Sequence, residues 1–380
     1  MPFRDTPQIE VHGFAAGPSL GWAAGQVRSL GAVVKSLRRT LSRAEAAAGV
    51  EVERAFLVSS FDTLVGEGFR AGLPLAGDTA SQGDLETVFA AAAEYAERGG
   101  RCAIHVFATG YGLDASDAAI RARGASYLTV EFRTLAIAAA SQQNVLECCH
   151  RCQIHADATV AAPYASALAV TTPEDRDLGI CVIDMGARTS SALWFEGGAL
   201  EHLALVPEGG LHITADIARM FSISRAQAEH IKLCHGSVFD VVANDVLVPL
   251  AGGEDREPLF KSQLNAVIRD RQKRIIEGLK GRLIAAGFAT GGPEPIVLTG
   301  GGSALSGASE LAGQVFGRDV HLGQPAALKG LKADATLSAL IGGCLYVAGE
   351  EWRACAGVLS RSGQKSSYAD RIGQWLRAGF

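Results

Sequence analysis

The chain has 380 residues, with 35 Lys and Arg against 40 Asp and Glu for a formal charge of -5; 48% of residues are hydrophobic and 20% charged. That length excludes a small stapled module and calls for two or more domains, or one subdivided α/β body. The composition excludes a disordered chain, and the acidic balance speaks against a generic basic nucleic-acid binder.

The start, MPFRDTPQIEV, lacks a basic region followed by an apolar run. No secretory signal or membrane-crossing helix is expected, and the chain reads as cytoplasmic, with any membrane role coming from its surface. The periodicity predicts a strand over 9–14, a turn over 18–25, an amphipathic helix over 30–48 and a buried strand over 52–59. A Gly-broken segment follows, then a helix over 84–98 and strands over 102–108 and 127–132. A helix over 138–152 precedes TTPEDRDLG, read as a polar hinge. The second half restarts with strands over 180–184 and 191–195 joined by a loaded turn, and with EGG as the next turn. A helix over 263–286, a strand over 295–298, a glycine run and a helix over 335–349 complete the pattern. Strand-turn-strand followed by helices in each half fits a duplicated architecture.

Four constellations carry candidate chemistry. The turn from Asp184 through Gly186 to Thr189 ends a buried strand. Tight-turn amides form an anion nest, the Thr189 hydroxyl can donate to phosphate, and the Asp184 carboxylate can hold hydrated Mg2+; an ordinary hairpin turn looks the same. Gly209 and Gly210 open a helix, where free amides suit a second phosphate contact; a helix entry capped by Thr214 is the plainer reading. Glu229 and Lys232 share a helix face and can bracket a ribose and base, or simply pair with each other. Gly300, Gly301 and Gly302 follow a strand and let backbone lie against a flat or charged ligand.

The order of these motifs, together with GFAAGPSLG at 13–21, LGICVIDMG at 178–186, HITADIA at 212–218, AEHIK at 228–232 and IVLTGG at 296–301, resembles the actin-like ATPase superfamily and, within it, the FtsA family of bacterial cell division. The resemblance implies an α/β, actin-like (ribonuclease H-like, duplicated) fold with an inserted subdomain of FtsA type and a C-terminal amphipathic helix. The implied layout is 1–65 as the first subdomain without its first strand, 66–133 inserted, and 134–177 returning to the first. It continues with 178–350 as the second domain including a small subdomain near 222–263, 351–366 as linker and 367–380 as membrane helix. ATP and Mg2+ are the implied ligands. The Asp-x-Gly-Thr loop with which the family opens is not found, and Ala187 and Arg188 stand where glycine is usual, which counts against nucleotide binding and further against turnover.

Residues Tyr368, Ile372, Trp375, Leu376 and Phe380 fall on one side of a terminal helix flanked by Arg371 and Arg377, the pattern of an interfacial helix on anionic lipid. The alternative is a helix docked on its own domain. On the helix after residue 263, Arg269, Arg271, Lys273 and Arg274 read as an outward basic cluster. It is either a solvated face or, by the resemblance, a dock for the acidic and apolar C-terminal tail of the tubulin-like division protein FtsZ. The resemblance thus implies a self-associating scaffold that tethers the FtsZ ring to the inner face of the cell membrane at the division site. An ATPase or kinase, or a pilus-assembly actin-like adaptor, are the competing readings.

Of the eight cysteines, Cys102, Cys181, Cys234 and Cys344 read as core-filling thiols. Cys148, Cys149, His150, Cys152 and His155 have zinc-type side chains but lack a second ligand pair at a standard interval, so no metal is expected. No G-x-S-x-G nucleophile motif occurs.

Overall fold

The computed structural model describes residues 9–23, 26–75, 80–114, 127–239, 246–249, 259–289, 291–292 and 294–349. The chain divides into two compact units: Met1–Ala162 with Ala199–Glu201 and Gly343–Phe380, and Pro163–Gly198 with His202–Gly342.

In the first unit the expected strand over 9–14 does not form, and only Glu10 is bridged. The segment instead runs beside helix α1 (Leu30–Ala48), where a Cβ at Gly13 would fall 2.4 Å from the Ala44 carbonyl, and the chain just after it is held by side chains: Ser36 donates to the Pro18 carbonyl and Arg43 Nη1 to the Ala16 carbonyl at 2.9 Å. The short strands β1 (Trp22–Ala23) and β2 (Gln26–Val27) pair antiparallel. Helix α1 turns Val34, Leu37 and Leu41 onto Cys149, Cys152 and Ile154. Strand β3 (Arg54–Ser59) is followed by β4 (Val65–Pro74), helix α2 (Gln82–Ala96), β5 (Arg101–Asp114) and β6 (Tyr127–Ala138). β4, β6 and β5 form an antiparallel sheet in that order. Alternate β6 residues Leu128, Val130 and Phe132 are buried with Val88, Phe89 and Ala92 of α2, the period-two pattern of a strand with one covered face. Helix α3 (Ala139–Arg151) leads to β7 (His155–Ala161), which pairs parallel with β3.

In the second unit, α4 (Ala162–Val170) precedes α5 (Pro173–Leu178), which lies where a polar hinge is expected. The reason is local: Thr172 caps the Asp175 amide while the Asp175 carboxylate accepts from the Thr172 amide, and Pro173 sits in the first turn. Strands β8 (Ile180–Met185), β9 (Ser190–Glu196) and β10 (Ala199–Val206) follow. Gly197 (φ 56°) and Gly198 (φ 76°) make the turn between β9 and β10 in the left-handed region that only glycine enters cheaply. Then come α6 (Gly210–Met220), α7 (Arg225–His235), β11 (Leu247–Val248), β12 (Leu259–Phe260) and α8 (Lys261–Ala285). The unit ends with β13 (Ile296–Thr299), α9 (Ala308–Phe316), β14 (Val320–Leu322) and α10 (Ser338–Ala348), the last crossing into the first unit at Gly343.

Its sheet has the order β10-β9-β8-β13-β14, with β13 parallel to β8 and to β14. Leu264, Ile268, Ile275, Leu279 and Leu283 of α8 are fully buried, forming one apolar stripe against the sheet-side core around Ile183, Ile213 and Ile231. Because β8 and β13 are parallel neighbours with Asp184 opposite Thr299, the turn after β8 and the glycine run after β13 emerge side by side. Strand C-terminal ends of this kind are where open α/β sheets hold ligands.

Candidate functional site

The centre of the site is Asp184. All six β8 residues are buried, and Asp184 Oδ2 accepts a hydrogen bond from Ser166 Oγ of α4 at 2.8 Å. Burial pushes its carboxyl up to about 6, with the Ser166 hydroxyl pulling the other way. Ser166 is a site residue that sequence reasoning missed; it lies in a run of small residues with no motif around it.

The turn after Asp184 is a hairpin closed by Gly186 N donating to Thr189 O at 3.0 Å. Helix α6 docks end-on against it. Gly210 N donates to Gly186 O (3.0 Å), Leu211 N to Ala187 O (2.8 Å), and Gly209 N to His212 Nδ1 (3.0 Å). The expectation that Gly209 and Gly210 leave free donors for a phosphate is therefore corrected: hairpin carbonyls and His212 take those amides. Glycine is required at 209 by the docking itself, since a Cβ there falls 2.3 Å from Gly186 O. Among the described residues, the Ala187 and Thr189 amides have no hydrogen-bond acceptor.

Lys232 is also committed internally. Its ammonium reaches Glu229 Oε2 (2.8 Å), Thr214 Oγ1 (3.0 Å) and Gly210 O (3.1 Å), one acceptor for each proton, and its side chain is only 7% exposed. It fastens α7 to the α6 entry instead of facing a ligand, whereas Glu229, at 37%, still faces solvent. The glycine run is set against the same strand. At Gly300 (φ 83°) a Cβ falls 2.2 Å from Asp184 Oδ1, and at Gly302 one falls 2.8 Å from the Met185 Cβ; Gly301 is exposed. Thr299 shares a 2.7 Å hydroxyl contact with Ser338.

The basic cluster of α8 divides. Arg271 does not point outward: its Nε (2.6 Å) and Nη2 (3.1 Å) grip the two Asp216 oxygens and its Nη1 reaches Glu208 Oε2 at 2.7 Å. Its side chain is 16% exposed and that of Asp216 13%. Burial pushes the Asp216 carboxyl up, but the bonds and charge of Arg271 outweigh it and hold the group below its ordinary value. The signal was in the spacing, because Arg271 lies three residues after Ile268 and four before Ile275, at the margin of the buried stripe. Arg269, Lys273, Glu277 and Lys280 instead line a groove of about 400 Å³ between α8 and α9, with Ile284, Leu311 and Val315 as apolar lining; Lys273 stands 3.8 Å from Glu277, and Lys280 Nζ donates to the Val315 carbonyl at 2.6 Å. Arg274 is exposed at 3.9 Å from Asp216.

Among the thiols, Cys148, Cys149 and Cys152 are buried in the first unit, and burial pushes Cys149 up to about 11, the state of an inert core thiol. Cys181 is buried and pushed up to about 12, and Cys102 and Cys344 are half-buried. Cys234 is not core-filling as expected; it is exposed on α7 beside His230, 3.8 Å from Nδ1. The terminal residues Tyr368, Arg371, Ile372, Trp375, Leu376, Arg377 and Phe380, and the linker before them, lie outside the described residues. No helix among the described residues is long and apolar enough to cross a membrane.

The family "Cell division protein FtsA" matches residues 181–342, the stretch that holds this site. The cell division protein FtsA of Rhizobium meliloti (strain 1021) is 32% identical over 395 residues, spanning 100% of this chain and 89% of that protein. That of Escherichia coli (strain K12) is 28% identical over 392 residues, spanning 98% and 92%. Among solved structures, a chain of a PilM-PilN type IV pilus biogenesis complex superposes with a TM-score of 0.59, covering 90% of this chain and 97% of that one at 16% identity. A likeness of that kind shows the fold alone, α/β of actin-like type. With strand-end glycine loops beside a buried aspartate, and a relative at 32% identity across the whole of this chain, the chain belongs to the FtsA family of cell division proteins.

Proposed function

We propose that this protein is an actin-like scaffold of the division apparatus that binds the acidic tail of FtsZ in the α8–α9 groove and holds the membrane through residues 367–380. Its family membership, carried by the 32% identity to a cell division protein over the whole chain, makes it a cell-division protein of actin-like fold. The groove supports the partner reading. In this reading Lys273 and Arg269 would meet peptide carboxylates in competition with Glu277, which lines the same groove 3.8 Å from Lys273, while Ile284, Leu311 and Val315 would take apolar side chains, the two chemistries that an acidic and apolar peptide presents. Arg271 has no part in this surface, because its guanidinium is filled by Asp216 and Glu208.

The membrane reading rests on the sequence of 367–380. Burying one large apolar side chain fully is worth about 1.5–3 kcal/mol, whereas ordering the helix costs about 1–2 kcal/mol per residue. One copy therefore binds lipid weakly, and self-association makes later contacts intramolecular and attachment firm.

The hairpin tip, with the Ala187 and Thr189 amides and the Asp184 carboxylate, is the part of the site that fits a phosphate and a hydrated Mg2+; Asp184 would hold the metal's water shell and the amides the phosphate oxygens. ATP so bound would supply a charge bridge across the site. The scaffold role needs no turnover.

A peptide of the FtsZ tail, titrated by anisotropy, tests the partner reading. Lys273→Glu is expected to weaken binding at least tenfold with melting unchanged, and equal affinity of the variant and the unaltered protein removes the groove.

A further inference from the structure

We infer that Arg271 is a positioning residue: it fixes, from helix α8, where the Glu208–Gly209–Gly210 turn sits against the Gly186–Thr189 hairpin. Three of its nitrogens hold two carboxylates on different parts of one element. Asp216 lies inside α6 and Glu208 just ahead of it, so a single guanidinium sets both the rotation of α6 and the path by which the chain enters it. Glu208 is next to Gly209, and its carbonyl accepts from Ser190 Oγ, at the start of β9, at 2.8 Å. Two residues on, the Gly210 and Leu211 amides grip the Gly186 and Ala187 carbonyls. The link from α8 to the hairpin tip is thus a short run of hydrogen-bonded contacts.

The alternatives on the surface cannot do this. Arg219 reaches Asp216 at 3.1 Å from a side chain that is 78% exposed and makes no contact with Glu208, and Arg274 stands 3.9 Å from Asp216. Without Arg271, Glu208 loses its guanidinium partner and Asp216 keeps only the exposed Arg219 and the more distant Arg274, so the two carboxylates that one fork held together repel, and the α6 entry is no longer fixed against the hairpin. The consequence is specific: loss of Arg271 loosens the hairpin tip first, while the buried stripe of α8 stays packed. For nucleotide affinity the inference rests on the reading of the hairpin given above; for the position of the turn it does not.

Hydrogen exchange on the full chain tests it, read separately over 186–190, 209–213 and 275–285. Arg271→Gln is expected to speed exchange at least tenfold over the first two stretches and leave the third unchanged. Arg271→Lys, which keeps a charge but not the fork, is expected to fall between, and Arg219→Gln to match the unaltered protein. Glu208→Gln carries the test by itself should Arg271→Gln not fold, with the same local acceleration expected. Unchanged exchange over 186–190 and 209–213, or equal acceleration everywhere, overturns the inference, the second outcome marking a merely structural ion pair. A fluorescent ATP analogue gives the second readout: at least tenfold weaker binding by Arg271→Gln supports the role, and equal binding overturns it. Should the unaltered protein bind no analogue, the nucleotide reading of the hairpin falls, and the exchange pattern still decides the role of Arg271.

Discussion

Asp184 is held at an energetic disadvantage. Its folded value near 6 lies above the 3.8 of a free carboxylate, so the ionised form is penalised above pH 6 and the penalty fades as pH falls towards 3.8. Asp184→Asn should therefore stabilise the fold by about 1–2 kcal/mol at pH 8 and by nothing measurable near pH 4; urea melts of both proteins across that range check the sign. A gain that persists at pH 4 would show that the ionised carboxylate is not what costs stability. His105, in the first unit, has the opposite dependence. Fully buried, it accepts from the Ala161 amide at 3.0 Å through Nε2, contacts Tyr346 Oη at 3.4 Å through Nδ1, and is pushed down to about 3 by burial. Its neutral form is favoured in the fold, so its contribution is complete above pH 6.5 and falls by about 1.4 kcal/mol per pH unit below it. His105→Gln should lower stability at pH 7 yet flatten the decline between pH 6.5 and 5, measured against the unaltered protein.

At the scale of elements, the tightest approach is between α4 and α10, where a Cβ at Gly342 would fall 1.6 Å from the Ala165 carbonyl. Gly342→Ala is expected to cost at least 3 kcal/mol or to abolish soluble expression, because two backbones cannot both yield. Gly281, in the interior of α8, meets nothing within 4 Å. Gly281→Ala should stabilise by about 0.5–1 kcal/mol through helix propensity, and thermal melts of the pair separate packing from propensity. These elements also show what the chain discloses about itself. Helix α1 is legible to the residue because Val33, Val34, Leu37 and Leu41 repeat at helical spacing and Gly49 ends it in the left-handed region. The strand over 9–14 fails because alternation alone does not provide a partner: the chain just after it is held by side chains of α1, Ser36 on Pro18 and Arg43 on Ala16, which are 18 and 27 residues away. Helix α5 was legible in its Thr-Pro-Glu-Asp start and was obscured by its polar composition. In the site, the glycine loops and Asp184 stand out because backbone requirements act locally. The commitments of Lys232 and Arg271 do not, since Thr214, Gly210, Asp216 and Glu208 come to them only through the packing of α6 on α7 and α8.

At the scale of the molecule, the function proposed above adds to the actin-like fold a membrane attachment through residues 367–380. Under that proposal weak contacts add up, and the decisive variable would be how many copies present residues 367–380 together. Co-sedimentation with vesicles containing anionic lipid, carried out above and below the concentration at which the protein self-associates, measures this most directly. The full chain is predicted to pellet with the vesicles only in the associated state, and Trp375→Glu or a chain ending at Ser366 to remain in the supernatant in both. Equal pelleting of the full and shortened chains would contradict the account.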